Sequence, residues 1–334
     1  MLVSDYNYDL PEERIAKFPP EERGSTRLLV LHRNDGSLED SYYRDLADLL
    51  QPGDVIILND TRVMQSRLFC ELPDGRKREL VVLEKHGDEP QRVMYRGKLH
   101  DGDELTPEGH QEKIIISHIL GNGIAEVESE TPLAELAEKY GTVPLPPYLH
   151  RDATDSDKKR YQTVWAKNMG SAAAPTASLN MTDELLDKLR AKGVNVKYLT
   201  LHVGLGTFLP IRSDKVEEHK MHSEWFNIPD DTLAAIQTAK DSNHRVIALG
   251  TTVARTLEYY AKTKKTSGED DIFIYPGFNF QIVDALLTNF HAPKSTVLML
   301  AAAFAGWDYL HQAYKHAVSE KYNFLSYGDS MFIC

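Results

Sequence analysis

Two patterns of hydrophobic and polar positions alternate along this chain of 334 residues. Between about residues 67 and 130, short apolar or alternating segments are separated by turn sequences such as DG and GNG, which is typical of short β-strands. Strands at this spacing predict a small barrel or sandwich. The five segments are SRLFCELP, RELVVLE, QRVMYR, KIIISHI and GIAEVE.

On both sides of this region, apolar runs alternate with amphipathic segments. The runs VIILND (55–60), VKYLTLHVG (196–204) and RVIALGTT (245–252) predict strands. The segment TDELLDKLRAKG (182–193) predicts a helix with Thr182 as its N-cap and Gly193 as its stop, and DDTLAAIQTAKDS and VARTLEYYAK predict two more. Strands that alternate with helices indicate an α/β fold with a parallel sheet.

The order of the two patterns predicts a discontinuous architecture, since 334 residues exceed what one core usually holds. We expect an α/β main domain formed by residues 1–66 and 150–334, interrupted by an inserted small all-β barrel domain at residues 67–149. The segment PLPPYLHR (144–151) would lead the chain back, stiffened by prolines that fix φ.

Composition narrows the class of protein. Hydrophobic residues make up 42% and charged residues 26%, as in ordinary globular proteins. The two cysteines, Cys70 and Cys334, form neither a disulfide framework nor a zinc site. The first residues lack a secretory signal and no apolar stretch is long enough to span a bilayer, so we expect a soluble, cytoplasmic protein. A net charge of −12 argues against a general nucleic-acid coat but permits a local basic face.

The densest group of reactive side chains is EEHKMHSE (217–224). On a helix, His219 and His222 would share a face, with Glu224 close by. Three interpretations remain open: a metal site, a general acid–base or substrate-binding site, and a plain surface helix. The spacing differs from HExxH and no distant ligand is evident, so we expect no metal.

Other polar residues follow the predicted strands, where a parallel sheet binds ligands at its carboxyl edge. After RVIALG, the threonines of GTTVARTLE would present free amides to an anion at a helix N-terminus, and the arginine one turn later suits a carboxylate or phosphate. Structural turns, surface ion pairs and core packing are the alternatives. The candidate binding residues are Asn59, Arg62, His202, Gly204, Gly206, Thr251, Thr252, Arg255, Asn289 and His291.

Known catalytic signatures are missing. The chain has no P-loop, which argues against triphosphate hydrolysis, and no GxSxG nucleophile elbow. The small-residue segment GSAAAPTASLNMT (170–182) would let a flat ligand approach the backbone, or would serve as a flexible connector. Residue chemistry alone therefore leads to an α/β enzyme with polar groups gathered at loop ends.

Taken together, these segments resemble the S-adenosylmethionine:tRNA ribosyltransferase-isomerase family of queuosine biosynthesis. The resemblance covers nearly the whole chain in order. It includes YDLPEERIAKFPPEERGSTRLLVL, LQPGDVIILNDTRV, PLPPYLHR, RYQTVWA, TLHVGLGTF, EEHKMHSE, GTTVARTLE, DIFIYPGF, VDALLTNFHAPKST and EKYNFLSYGDSMFI.

The resemblance implies an α/β domain with an inserted β-barrel, and an activity. The ribosyl part of S-adenosylmethionine, the co-substrate, would be moved onto 7-aminomethyl-7-deazaguanine in a tRNA anticodon and isomerised, giving epoxyqueuosine, adenine and methionine. No metal is implied, and we expect a monomer.

The resemblance also implies roles for residues, because the family's EHxMHxE run maps onto residues 218–224. His219 or His222 would transfer protons, and Glu224 would orient them. Arg255 would bind the methionine carboxylate, and Asn289 with His291 would bind a base or ribose hydroxyls.

Two departures from the family pattern keep alternatives open. The family usually reads GSVAAPTAGLHF where this chain has GSAAAPTASLNM, so Asn180 replaces a titratable histidine and activity would be slow or altered. In the inserted region, YRGKLHDGDEL has lost positive charge relative to the family, which would weaken tRNA binding. A non-catalytic tRNA-binding relative is one alternative. Another S-adenosylmethionine-dependent tRNA-modifying enzyme is the second, although the glycine fingerprint of methyltransferases is missing.

Overall fold

The computed structural model describes residues 1–83, 90–121, 123–204, 206 and 211–334. In chain order its strands are β1 Arg27–Leu31, β2 Leu38–Tyr42, β3 Val55–Asn59, β4 Thr61–Val63, β5 Arg67–Glu71, β6 Lys77–Val82, β7 Arg92–Arg96, β8 Glu104–Pro107, β9 Ile114–Gly121, β10 Ile124–Glu128, β11 Asn168–Ser171, β12 Asn195–Leu201, β13 Glu224–Asn227, β14 Val246–Leu249, β15 Ser267–Asp270, β16 Ala285–Asn289 and β17 Ser330–Ile333. The α-helices are α1 Leu46–Leu49, α2 Leu133–Tyr140, α3 Asp155–Arg160, α4 Asp183–Ala191, α5 Asp230–Asp241, α6 Thr251–Thr263, α7 Thr296–Ala305 and α8 Trp307–Ser319.

The largest sheet has nine strands in the order β15-β13-β12-β3-β14-β16-β17-β1-β2. Its centre, β12, β3, β14 and β16, is parallel. The prediction of a parallel sheet is wrong beyond that centre, because β13, β15, β17 and β2 join it in antiparallel pairings. These pairings join segments far apart in the chain, so the local periodicity could not reveal them.

Side chains of the central strands alternate between two apolar layers. In β3, Val55 and Ile57 pack with helices α5 to α8, whereas Ile56 and Leu58 pack with α1 and α4. All four are fully buried, which explains why the strand reads as an unbroken apolar run. The centre of the sheet is therefore covered on both faces, and a ligand would reach it from the ends of the strands.

Helix α4 forms where its end signals predicted it. The Thr182 hydroxyl accepts a hydrogen bond from the Leu185 amide at 3.2 Å, and Gly193 follows the helix with φ +87°. The segments predicted as the next two helices form α5 and α6, so the predicted alternation of strands and helices is confirmed in this part of the chain.

Strands β5 to β10 form a closed barrel in the order β10-β7-β6-β5-β8-β9. The predicted inserted barrel is confirmed, although β8 was missed because it is only four residues long and ends at Pro107. Helix α2 closes its core with Leu133, Leu136 and Ala137.

The two ends of the barrel segment meet. The amide of Arg67 donates to the Thr142 carbonyl at 3.1 Å, and the Thr142 amide donates back at 2.8 Å. The return segment then packs Leu145 and Leu149 into a small cluster with Tyr161. The exact domain limits stay a prediction.

Among the described residues, no helix is both long and apolar enough to cross a membrane.

Candidate functional site

The carboxyl ends of the four parallel central strands lie at one edge of the large sheet. Antiparallel β13 begins at this edge with Glu224, and β15 ends there with Asp270. A cavity of about 610 Å³ lies at the same edge. The ends of β14 and β16 and the segments that follow them line it, as expected for a ligand site in an open α/β sheet.

The cavity walls are mostly apolar. The small-residue segment 173–177 forms one wall, and the segment 272–274, with Phe273 at its centre, forms another. Of the thirteen predicted site residues, the cavity wall brings together seven: His222, Glu224, Thr251, Thr252, Arg255, Asn289 and His291.

The segment EEHKMHSE does not form the helix that its spacing suggested. Residues Val216–Glu218 make one turn of 3-10 helix, His219 is extended (φ −71°, ψ 128°), and Glu224 begins β13. Pairing of β13 with β12 and β15 outweighs the local helical spacing. As a result His222 lines the cavity, whereas His219 packs edge-on against Phe273 with ring centroids 5.2 Å apart.

Glu224 is buried and fully hydrogen-bonded. Its Oε1 accepts from the Gly204 amide at 2.7 Å and from His222 Nε2 at 3.2 Å, and its Oε2 accepts from Arg255 Nη2. Burial alone would raise the carboxyl pKa, but the charge of Arg255 and the hydrogen bonds from His222 and Gly204 outweigh it and hold the pKa of Glu224 at about 2. Glu224 is therefore ionised, and the His222 nitrogen facing it carries the proton.

Arg255 lies between two carboxylates of the protein itself. It projects from the second turn of α6, is only 7% exposed, and its Nε donates to Asp270 Oδ2 at 3.2 Å. With Nη2 on Glu224, two of its donor positions are already used. The guanidinium does bind carboxylates, as its position in the sequence suggested, but the partners seen are protein side chains.

The glycines of the turn after β12 support this group at close range. The Gly204 amide bonds Glu224, as described above. A Cβ added at Gly206 would lie 2.4 Å from Cγ of His222, so any side chain there would displace the imidazole. Residues 205, 207 and 208 of the predicted turn lie outside the described residues.

The N-terminus of α6 opens into the cavity. Gly250, with φ +96°, precedes the helix, and no side chain caps this end. Thr251 and Thr252 line the cavity beside it. The first-turn amides of a helix have no partner within the helix, so they are available to an anion.

Asn289 and His291 follow β16 and are held by neighbouring hydroxyls. The Thr176 hydroxyl donates to Asn289 Oδ1 at 2.9 Å, and His291 Nε2 lies 2.8 Å from Thr288 Oγ1. Burial lowers the pKa of His291 to about 3. The imidazole is therefore neutral at neutral pH and suits hydrogen bonding to an uncharged group.

Five predicted binding residues lie outside the cavity wall: the two glycines already described, Gly204 and Gly206, and also Asn59, Arg62 and His202. Asn59 joins the ends of β3 and β12, donating to the Leu201 carbonyl at 2.9 Å and accepting from its amide at 3.1 Å. His202 places Nδ1 2.8 Å from Thr61 Oγ1. Arg62 is exposed on β4. Their predicted role in substrate binding stays a prediction.

The departures at residues 178, 180 and 181 are all buried away from the cavity wall. Asn180 donates from Nδ2 to the Gly328 carbonyl at 3.1 Å. It thereby holds the loop whose residues Leu325 and Ser326 do line the cavity. The side chain at position 180 contacts the backbone of this loop. Because it is not part of the cavity wall, the presence of asparagine there takes no titratable group out of the wall.

Sequence reasoning missed Asp270, Thr288 and the hydrogen-bonded pair Tyr148–Ser326, which also lies in the cavity wall. Thr288 stands three residues before His291, a spacing that could have been noticed. Asp270 belongs to the acidic pair of DDIFIYPG, but its importance depends on pairing with β13. The described residues contain no group of three or more His, Cys, Asp or Glu side chains that could hold a metal ion.

Four basic side chains of the barrel, Arg76, Lys77, Arg92 and Arg96, are paired with carboxylates. Arg76 lies 2.6 Å from Asp74, and Lys77 lies 3.1 Å from Glu108. Arg92 and Arg96 are likewise paired with glutamates of the barrel. These cations are exposed, so the barrel surface carries mixed charges at these positions.

Comparisons with known proteins agree with one another. The family described as "Queuosine biosynthesis protein" matches residues 3–333. Curated proteins named S-adenosylmethionine:tRNA ribosyltransferase-isomerase, from Pelodictyon phaeoclathratiforme and Chlorobium phaeobacteroides, are each 54% identical over 100% of both chains. The crystal structure of S-adenosylmethionine tRNA ribosyltransferase from Thermotoga maritima is 32% identical, with a TM-score of 0.58 over 99% of this chain and 100% of that one.

Proposed function

Since the chain belongs to the queuosine biosynthesis family of S-adenosylmethionine:tRNA ribosyltransferase-isomerases, we propose that it transfers and isomerises the ribosyl moiety of S-adenosylmethionine. The acceptor is the aminomethyl group of 7-aminomethyl-7-deazaguanine in a tRNA anticodon. The products are epoxyqueuosine-tRNA, adenine and methionine. The observation that carries this proposal is the cavity in which His222 is backed by a buried, ionised Glu224.

The cavity suits S-adenosylmethionine in size and lining. Its volume of about 610 Å³ lies within the usual range for small-molecule sites, about 300–1,000 Å³. Apolar walls with a few fixed polar groups suit the adenosyl portion. Asn289 and the neutral His291 offer hydrogen bonds to a base or to ribose hydroxyls.

We assign the methionine carboxylate to the N-terminus of α6 rather than to Arg255. Thr251 and Thr252 present this uncapped helix end to the cavity. Arg255 already bonds Glu224 and Asp270, so two protein carboxylates balance its single positive charge. Asn59 and His202 support the strand ends and do not touch the ligand in this assignment.

His222 is the proton-transfer group in this proposal. The positive sulfonium acidifies the adjacent ribosyl carbon, so a base there can begin the reaction. Ionised Glu224 keeps the proton of His222 on Nε2, and Nδ1 is then the nitrogen with a lone pair to accept a proton. His219 is not part of the cavity wall, and burial and then the neighbouring His222 lower its pKa.

The partner and conditions follow from the family and the site. The macromolecular substrate is tRNA carrying 7-aminomethyl-7-deazaguanine, and we place the protein in the cytoplasm because tRNA is found there. We expect turnover without a metal, so a chelator should leave the rate unchanged.

The test is incubation of the purified protein with S-adenosylmethionine and the modified-base tRNA, with chelator. Adenine and methionine release should be equal, and the nucleoside should gain the mass of the epoxycyclopentane. Bound tRNA without adenine release would indicate a non-catalytic relative. Release of S-adenosylhomocysteine would indicate methyl transfer instead.

A further inference from the structure

Two buried carboxylates lie opposite each other on neighbouring strands beside the cavity. Glu224 of β13 is the direct cross-strand partner of Asp270 of β15. Their exposures are 2% and 0%. Like charges directly opposite each other destabilise a strand pair, and burial adds the cost of removing both from water. Such a pair is not expected from packing alone.

Arg255 offsets the repulsion between the two carboxylates, because its guanidinium is hydrogen-bonded to both. Its Nη2 bonds Glu224 and its Nε bonds Asp270, while the second oxygen of Asp270 accepts from the Ile272 amide at 3.0 Å. Contacts at two different nitrogens fix both the position and the plane of a guanidinium. The contact of Nη2 with Glu224 alone would constrain the plane of the guanidinium less.

The contacts form a chain that ends at the cavity. Asp270 holds Arg255, Arg255 holds Glu224, and Glu224 holds Nε2 of His222. Among these four side chains, Asp270 does not line the cavity and His222 has the most exposed side chain, at 26%. Asp270 therefore cannot touch a substrate in the cavity and can act only through its neighbours.

We propose that Asp270 is a positioning residue for the reaction: by fixing Arg255 it fixes Glu224, and through Glu224 it sets the orientation and protonated nitrogen of His222. This rests on the proposed function, in which His222 accepts the substrate proton. When that proton arrives on Nδ1, the imidazole becomes positive. Ionised Glu224 stabilises this cation, as a buried carboxylate does in a hydrolase triad.

The first test is Asp270→Asn, which keeps the size of the side chain and removes its charge. We expect kcat for adenine release to fall about 10- to 100-fold, the range seen when a residue that orients an active group is lost. The KM for S-adenosylmethionine should stay nearly unchanged, because Asp270 contacts no substrate. A kcat equal to that of the wild type, or a loss confined to KM, would overturn the proposal.

The chain offers a matched control in Asp54. This aspartate is also buried, bonds Arg245 at 2.6 Å and accepts from backbone amides, but it lies before β3 at the opposite edge of the sheet. Asp54→Asn should lower the melting temperature and leave kcat unchanged. Equal kcat losses in both variants would show that Asp270 acts only through general stability.

A double-mutant cycle separates positioning from an independent role. In a His222→Asn background, Asp270→Asn should cause no further loss in the rate of single-turnover adenine release. The imidazole that Asp270 is proposed to position is absent from that background, so the second substitution has nothing left to disturb. A further loss by the same factor as in the wild type would mean that Asp270 does not act through His222.

Nitrogen-15 NMR of the His222 ring tests the proposal without turnover. The wild type should show a single form protonated on Nε2, and Asp270→Asn should show a mixture; His222→Asn identifies the signals. An unchanged His222 signal in Asp270→Asn would overturn the positioning role. A wild-type protein that releases no adenine would reject the proposed function instead, while this measurement still decides the role of Asp270.

Discussion

The barrel and the cavity edge use ion pairs in opposite surroundings. On the barrel, Lys77 and Glu108 lie 3.1 Å apart with side chains 71% and 37% exposed. At the cavity edge, the side chains of Arg255 and Glu224 are 8% and 1% exposed. Exposed pairs contribute little because water and salt screen them, whereas a buried charge is tolerated only when it is fully paired. An exposed pair such as Lys77–Glu108 can therefore be lost at little cost in stability, and the pairs at the cavity edge cannot.

The largest expected effect is on catalysis at the edge. His222→Asn removes the proposed proton acceptor, so kcat for adenine release should fall by about 10²- to 10⁴-fold. Single-turnover release of adenine measures it. His118→Asn on the barrel, where an exposed histidine lies 3.1 Å from Asp101, should keep the wild-type rate. A normal rate in His222→Asn would contradict the assignment of the base.

The second effect is on stability at the edge. Arg255→Met leaves Glu224 and Asp270 opposite each other without a cation, and should lower the free energy of unfolding by about 3–5 kcal/mol. Without Arg255 the pKa of each carboxyl would rise, so the folded state would bind protons more tightly than the unfolded state. The variant should therefore regain stability as pH falls. Urea unfolding at two pH values checks this, and a loss independent of pH would point to packing instead.

A third, smaller effect follows from Glu224 itself. Its pKa in the folded state, about 2, lies below the ordinary value of 4.5. The contribution of ionised Glu224 to the free energy of unfolding is therefore complete above pH 4.5 and is lost as the pH falls toward 2. The wild type should lose about 1 kcal/mol of this contribution between about pH 6 and pH 3.5, and Glu224→Gln should not. The unfolding free energy of both proteins, measured across that interval, gives the difference. Parallel curves would mean that the carboxyl is not ionised as described.

The smallest effect is expected on the barrel. Lys77→Ala breaks the exposed pair with Glu108 and should change the unfolding free energy by less than about 1 kcal/mol. Added salt should remove even that difference, because it screens exposed charges. A loss as large as that of Arg255→Met would end the distinction between the two regions.

Local signals were sufficient for much of the fold. The Thr182 cap, the Gly193 stop and the apolar run of β3 each depend on neighbours in sequence, so the helix and the strand could be predicted. The mixed character of the sheet depends on pairings such as β16 with β17, more than forty residues apart. Nothing in the local pattern carries that information.

The same distinction between local signals and long-range strand pairing applies to the residues of the site. His222 could be singled out because it belongs to a dense run of reactive side chains, and Thr251 because it follows a predicted strand at the start of a helix. The helix predicted for EEHKMHSE failed because sheet pairing placed Glu224 at the start of β13. Asp270 escaped notice because only its register with Glu224 shows that the two carboxylates meet. Asn180 lies outside the cavity wall and donates to the Gly328 carbonyl, and its effect on activity stays a prediction.

The paired amides and carbonyls of Arg67 and Thr142, where the barrel segment leaves and rejoins the rest of the chain, have an evolutionary consequence. A segment whose ends touch can be lengthened, shortened or exchanged without moving the residues on either side, since its removal leaves a gap that a short turn can close. The barrel can therefore diverge at a different pace from the strands beside the cavity. Selection on the barrel and selection on the cavity residues can then proceed separately within one gene.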